Sequence, residues 1–79
     1  MQLKILTPEK LLYKGEVEFL QVPGKLGSFG ILKNHAPIIS TLVQGQIKLR
    51  VAGQEQFFEI PGGVIQVENN NITVLTEMS

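Results

Sequence analysis

Turn signals punctuate this sequence about every eight to ten residues, and no window between them holds a pattern long enough for a helix. The punctuation is Thr7-Pro8-Glu9, Lys14-Gly15, the stretch from Pro23 to Pro37, Gln44-Gly45, Ala52-Gly53, Pro61-Gly62-Gly63 and Asn69-Asn70-Asn71. The clearest segment between turns runs from Gln46 to Val51. There Ile47, Leu49 and Val51 point one way while Gln46, Lys48 and Arg50 point the other, the period of a half-buried strand. Ala52-Gly53 has the length of a two-residue hairpin turn, leading into a second strand from Gln54 to Ile60. The expected fold class is all-β, a flattened sandwich or barrel of about eight to ten short strands, in one domain spanning residues 1–79.

The other segments fit that class with less regularity. Leu3 to Leu6 is a first strand, and Leu11 to Tyr13 a short second one that Lys14-Gly15 should end. From Glu16 to Val22 the phase slips by one residue, with Val17 and Phe19 on one face and Leu20 and Val22 on the other. A bulge, or a strand covered on both faces, is the expected cause. Ile38, Ile39, Leu42 and Val43 could describe one face of a short helix, but Pro37, the β-branched residues and the brevity of the run favour a strand. Val64 to Val67 and Ile72 to Leu75 complete the series.

Between Pro23 and Pro37 lie three of the eight glycines, Gly24, Gly27 and Gly30, two of the four prolines and the only histidine, His35. Such a density of backbone-special residues predicts a folded loop, and an ordered loop of this length in so small a domain is usually functional. The stretch is therefore read as the place where the protein meets a partner.

Composition narrows the class of function. A chain of 79 residues makes one domain, and without cysteine it has neither a disulfide framework nor a Cys-based zinc site, which fits a reducing compartment. Seven basic side chains against seven glutamates give zero formal charge, which argues against a nucleic-acid footprint or a polybasic membrane patch. No apolar run approaches the length of a membrane span, so a soluble domain is expected.

No catalytic constellation, cofactor site or metal site emerges. His35 has no aspartate to orient it, because the chain contains none, and Ser28, Ser40 and Ser79 lack a nucleophile motif. The plain reading of His35 is a loop histidine whose ring nitrogens bond nearby backbone. Pro23-Gly24-Lys25-Leu26-Gly27 lacks both a following helix and Gly-Lys-Ser/Thr, which a phosphate-cradling loop needs; Gly24-Lys25-Leu26-Gly27 fits a KH-type GXXG only without its flanking helices. Lys48 and Arg50 could form an oligonucleotide platform, although a solvated face is the simpler reading. A lipoyl- or biotinyl-type carrier domain would present a lysine at a hairpin tip, and neither Lys14 nor Lys25 has the flanking Met or Asp such a site uses.

The run from Val22 to Ile39, V-P-G-K-L-G-S-F-G-I-L-K-N-H-A-P-I-I, resembles the epsilon subunit family of F-type ATP synthase, where the stretch reads approximately V-x-G-x-x-G-x-[FL]-G-I-L-P-G-H-A-P-L-L. Leu6-Thr7-Pro8-Glu9, Tyr13 to Val17, Gly45 to Arg50, Gly62 to Val67 and Ile72 to Leu75 extend the similarity over essentially the whole chain. The resemblance implies a β-sandwich and a non-catalytic rotor part at the foot of the gamma subunit, resting on the ring of c subunits. In a bacterium it would be a peripheral subunit on the cytoplasmic face of the plasma membrane. By position, Gly27, Ser28, Phe29, Gly30, Lys33, Asn34 and His35 would lie near the polar loops of the ring, and Ile38, Ile39, Leu42 and Val43 are candidates for the gamma side.

Three departures from the family pattern carry expectations of their own. Ser28 stands where many relatives have an acidic residue, so a salt bridge there is not expected. Lys33-Asn34 replaces the usual Pro-Gly, and Asn tolerates a left-handed backbone well enough for the turn to survive. Many bacterial relatives continue into a C-terminal helical hairpin, so neither helical inhibition nor a hairpin ATP site is expected of these 79 residues.

Overall fold

Alternation along the sequence becomes alternation in burial. In the computed structural model, which describes residues 1–77, all regular structure is strand: β1 Gln2–Leu6, β2 Leu11–Glu16, β3 Phe19–Gly24, β4 Gly27–Ile31, β5 Ile38–Leu42, β6 Gly45–Val51, β7 Gln54–Ile60, β8 Gly63–Glu68 and β9 Asn71–Thr76. The last two positions of the expected domain, Met78 and Ser79, lie outside the described residues.

The strands form one sheet in the order β2-β1-β9-β8-β5-β3-β6-β7, with β4 on the free side of β3. All pairs are antiparallel except β1 with β9, which run parallel from Gln2↔Asn71 to Leu6↔Leu75. A single pair, Gly24↔Leu42, joins β3 to β5, so the sheet curls there and closes its two parts over each other. Leu3, Ile5, Ile65, Val67, Ile72 and Val74 of one part then meet Leu20, Val22, Ile31, Ile47, Leu49 and Ile60 of the other in one buried cluster. At the far ends of the path, the rings of Tyr13 on β2 and Phe58 on β7 meet edge to face with centroids 5.9 Å apart. This is the flattened sandwich expected from the turn spacing.

The β6–β7 and β8–β9 hairpin turns use left-handed residues. Ala52 and Gly53 have φ of 51° and 77°, and Asn69 and Asn70 have 50° and 62°, so each pair makes the primed turn that matches strand twist. Ile38 to Leu42 is a strand, as Pro37 and the β-branched residues suggested.

Three local expectations are corrected. Lys14-Gly15 does not end β2 but lies inside it, opposite Lys4 and Leu3. A Cβ at Gly15 would sit 3.2 Å from the Tyr13 hydroxyl, so the glycine makes room for a ring and not for a turn. The slip between Phe19 and Leu20 is no bulge: β2 ends at Glu16, β3 begins at Phe19, and Val17 enters the core from the connection between them. A register shift does occur between Ile5 and Leu6 on β1, where Leu6 pairs with Leu11. Finally, the stretch from Pro23 to Pro37 is only partly loop. Its first half is the end of β3, a turn at Lys25-Leu26 and β4, and only Leu32 to Pro37 is irregular.

Candidate functional site

The glycines of the Pro23–Pro37 stretch are needed first by the fold itself. A Cβ on Gly24 would lie 2.7 Å from Phe29 Cε1, and one on Gly30 would lie 3.0 Å from Phe19 Cε1. Two of the three thus make way for aromatic rings of this same chain. Gly27, at φ 123° and with nothing within 4 Å of its would-be Cβ, is the one that faces open space.

The candidate ring-contact residues divide between the two ends of β4. Gly27 and Ser28 stand next to the Lys25-Leu26 tip and line a cleft of about 510 Å³ with Val43, Gln46, Lys48 and Phe57. Phe29 turns inward, half-buried against the core. Lys33, Asn34 and His35 follow the other end of the strand, roughly 13 Å away at a strand rise of about 3.3 Å per residue. Asn34 and His35 line a second, smaller cleft of about 320 Å³ with Pro37, Asn69 and Asn70.

At this second end the backbone is held by polar side chains. Leu32 to His35 form a turn closed by the His35 N–H donating to the Leu32 carbonyl at 3.1 Å, and Asn34 occupies its third position at φ 66°. Positive φ at that position is what a type II turn requires, so Asn34 does what the family glycine would do. The Asn34 N–H donates to Asn70 Oδ1 at 2.7 Å, while Asn70 Nδ2 donates to Asn34 Oδ1 at 3.2 Å. The irregular loop is thereby tied to the β8–β9 turn. The His35 Nδ1 lies 2.7 Å from the Ala36 carbonyl oxygen, the local backbone bond expected of a loop histidine.

The candidates for the gamma side also separate. Ile39 is 75% exposed and points outward beside Gln66, and Val43 is exposed at the end of β5. Ile38 is half-buried. Leu42 leaves the set, because a side chain only 3% exposed belongs to the core and has no surface to offer a partner. Sequence reasoning overlooked a different apolar row. On the outer face, Leu11, Leu6, Leu75 and Val64 follow one another across β2, β1, β9 and β8. Leu6, Val64 and Leu75 wall a cleft of about 530 Å³ together with Pro8, Pro61 and Gly62. The signal was present: since Ile65 and Val74 alternate inward, Val64 and Leu75 must face out.

On β6 and β7 the outer face is internally neutralised. Arg50 Nη2 and Lys48 Nζ reach Glu55 Oε2 at 3.2 and 3.6 Å, and both cations lie about 6 Å from the centre of the Phe19 ring, at 5.9 and 6.0 Å. Glu55 is held below its ordinary pKa, chiefly by the Arg50 hydrogen bond and next by the Lys48 charge. Cations already shared with a carboxylate make a poor backbone track for an oligonucleotide. As for the carrier alternative, Lys14 is mid-strand, and only Lys25 stands at a hairpin tip.

Residues 1–78 match the protein family described as the ATP synthase Delta/Epsilon chain, beta-sandwich domain. The chain belongs to this family. The resemblance drawn from the Val22 to Ile39 run and the sandwich it implied both hold. An ATP synthase epsilon chain of Leptospira interrogans is 42% identical over 77 residues, covering 98% of this chain and 61% of that one. The chain thus spans about three fifths of the length of that epsilon-chain relative. One from Caulobacter vibrioides is 36% identical over 77 residues, covering 98% of this chain and 90% of that one. Among solved structures, a chain in the cryo-EM structure of the Euglena gracilis mitochondrial ATP synthase OSCP/F1/c-ring superposes with a TM-score of 0.89 at 20% identity, covering 96% of this chain and 49% of that one. A chain of the Tetrahymena thermophila mitochondrial ATP synthase central stalk/c-ring gives 0.83 at 18% identity, covering 98% and 63%. At such identities these two speak for the fold alone.

Proposed function

We propose that this domain is a non-catalytic rotor part of an F-type ATP synthase, gripping the gamma subunit and the c-ring so that torque passes between them during ATP synthesis. The observation that carries this reading is the similarity to epsilon chains across 98% of the sequence. The physical requirements of a clamp are a rigid body and two separate surfaces. A curled nine-stranded sheet closed over one apolar core meets the first. The ends of β4 and the outward apolar residues meet the second.

On this reading the ring contact is polar and wet. Ser28 at the hairpin tip, with Lys33, Asn34 and His35 at the other end of β4, supplies donors and acceptors suited to polar loops. The gamma contact is apolar and centred on Ile39, since Val43 shares the cleft of Gly27 and Ser28. In a bacterium the domain would sit as a peripheral subunit at the cytoplasmic face of the plasma membrane. The test is calorimetric titration of this chain into isolated gamma subunit at several temperatures. One-to-one binding with a negative heat-capacity change is expected, the mark of buried apolar surface. No binding at tens of micromolar, with or without the ring present, would overturn the rotor reading.

A further inference from the structure

The Ala36 carbonyl is only an acceptor, so a neutral His35 ring that bonds it at 2.7 Å must carry its proton on Nδ1. That choice decides the other nitrogen. Nε2 is left unprotonated, with an in-plane lone pair and no hydrogen-bond partner among the described residues. It is also not a buried unsatisfied atom, so it reaches solvent in the cleft that His35 shares with Asn34, Pro37 and Asn69. The backbone around it is held by the Leu32–His35 turn and by the two hydrogen bonds between Asn34 and Asn70. A ring fixed by its own carbonyl on a tied-down loop is preorganised, which lowers the cost of using it in recognition.

We infer that His35 acts as a hydrogen-bond acceptor through Nε2, and that the partner group taken by this nitrogen is an N–H donor, a backbone amide or a basic side chain. This deepens the proposed ring contact and rests on that reading for the identity of the partner. It adds the polarity of the contact at this end of β4. A partner carboxylate would meet only a lone pair at Nε2 itself and would have to turn to the side-chain amides of the neighbouring asparagines for a donor.

Because His35 is the only histidine, its ring can be observed without assignment. A long-range proton–nitrogen correlation on the uniformly labelled chain at a pH where the ring is neutral should show the Nδ1–H tautomer in majority. A majority of Nε2–H would overturn the inference. The second arm uses binding to the assembled gamma subunit and c-ring. Gln places an amide oxygen near the position of Nε2, whereas Asn reaches only the position of Nδ1. His35→Gln should therefore keep affinity within about twofold, and His35→Asn should lose roughly three- to tenfold, the net worth of one hydrogen bond. Equal losses in both variants, or none in either, would overturn the acceptor role while leaving the rotor reading in place. Failure of the unaltered chain to bind would overturn both.

Discussion

Asn34 and Asn70, thirty-six residues apart, exchange two hydrogen bonds, backbone N–H to side-chain oxygen at 2.7 Å and side-chain amide to side-chain oxygen at 3.2 Å. Each also has positive φ, 66° and 62°, so each shapes its own turn while holding the other. Asn70→Gly retains the turn geometry and removes the bonds. It should cost about 0.5–1 kcal/mol in urea unfolding, the lower part of the range for a net hydrogen bond because the pair is exposed. Asn34→Gly keeps its backbone N–H and loses only the bond to its Oδ1, so it should cost less, and the double variant no more than Asn70→Gly alone, which already removes both bonds. Fully additive losses would mean that the two bonds do not couple the loop to the β8–β9 turn.

Leu20 and Leu49, opposite one another on β3 and β6, are both fully buried. Leu20→Ala should cost about 2–5 kcal/mol through lost transfer energy and the cavity left behind. A domain of this size has roughly 5–10 kcal/mol in total, so the urea midpoint should fall by at least about a fifth. Leu26→Ala at the exposed hairpin tip should stay within about 0.5 kcal/mol of the parent. A large loss at Leu26 would show that the tip packs against something in the isolated domain.

Glu55 has the pH dependence of a carboxylate held charged. Its pKa lies below the ordinary value of 4.5, first through the Arg50 hydrogen bond and then through Lys48. The sign follows: the stabilisation is present above the unfolded value and is lost as pH falls through the lower folded value. Solvent around the trio keeps the effect small. Urea midpoints measured downward from pH 6 should therefore show the parent losing its lead over Glu55→Gln once the pH drops below the ordinary carboxylate value. A lead that grows on acidification would contradict this sign.

Most of the fold was legible because strand burial has a strict period and turns need particular residues. Gln46 to Val51 and Ala52-Gly53 read directly from sequence to strand and primed turn. What could not be read is where a residue makes room for a side chain that only the built strands bring alongside it. Gly15 looked like a turn because the Tyr13 ring beside it is visible only once β2 is built, and Gly30 looked like a partner contact because the Phe19 ring lies over it only after β3 and β4 pair. The slip after Phe19 was real, but it marks the passage from one half of the sheet to the other. Leu42 was misplaced for the same reason: it enters the core where β5 pairs with both β3 and β8. The apolar row from Leu11 to Val64 needs cross-strand register, including a parallel pair between the first and last strands, and no local pattern supplies that.

The division of the ring-contact candidates between the two ends of β4 makes the last prediction one of additivity. Ser28 is exposed at the tip, and His35 closes a turn beyond the other end, so neither Ser28→Ala nor His35→Ala removes a core contact. Both variants should fold with urea midpoints close to the parent. In membranes carrying the assembled synthase, each should weaken proton-coupled ATP synthesis through its own contact. Sites roughly 13 Å or more apart with no shared partner contribute independently, so the free-energy losses of the double variant should equal the sum of the singles within about 0.5 kcal/mol. Unchanged coupling in the double variant would remove β4 and its flanks from the ring contact. A loss well beyond the sum would mean that one rigid element of the partner spans both ends of the strand and that the two clefts act as a single site.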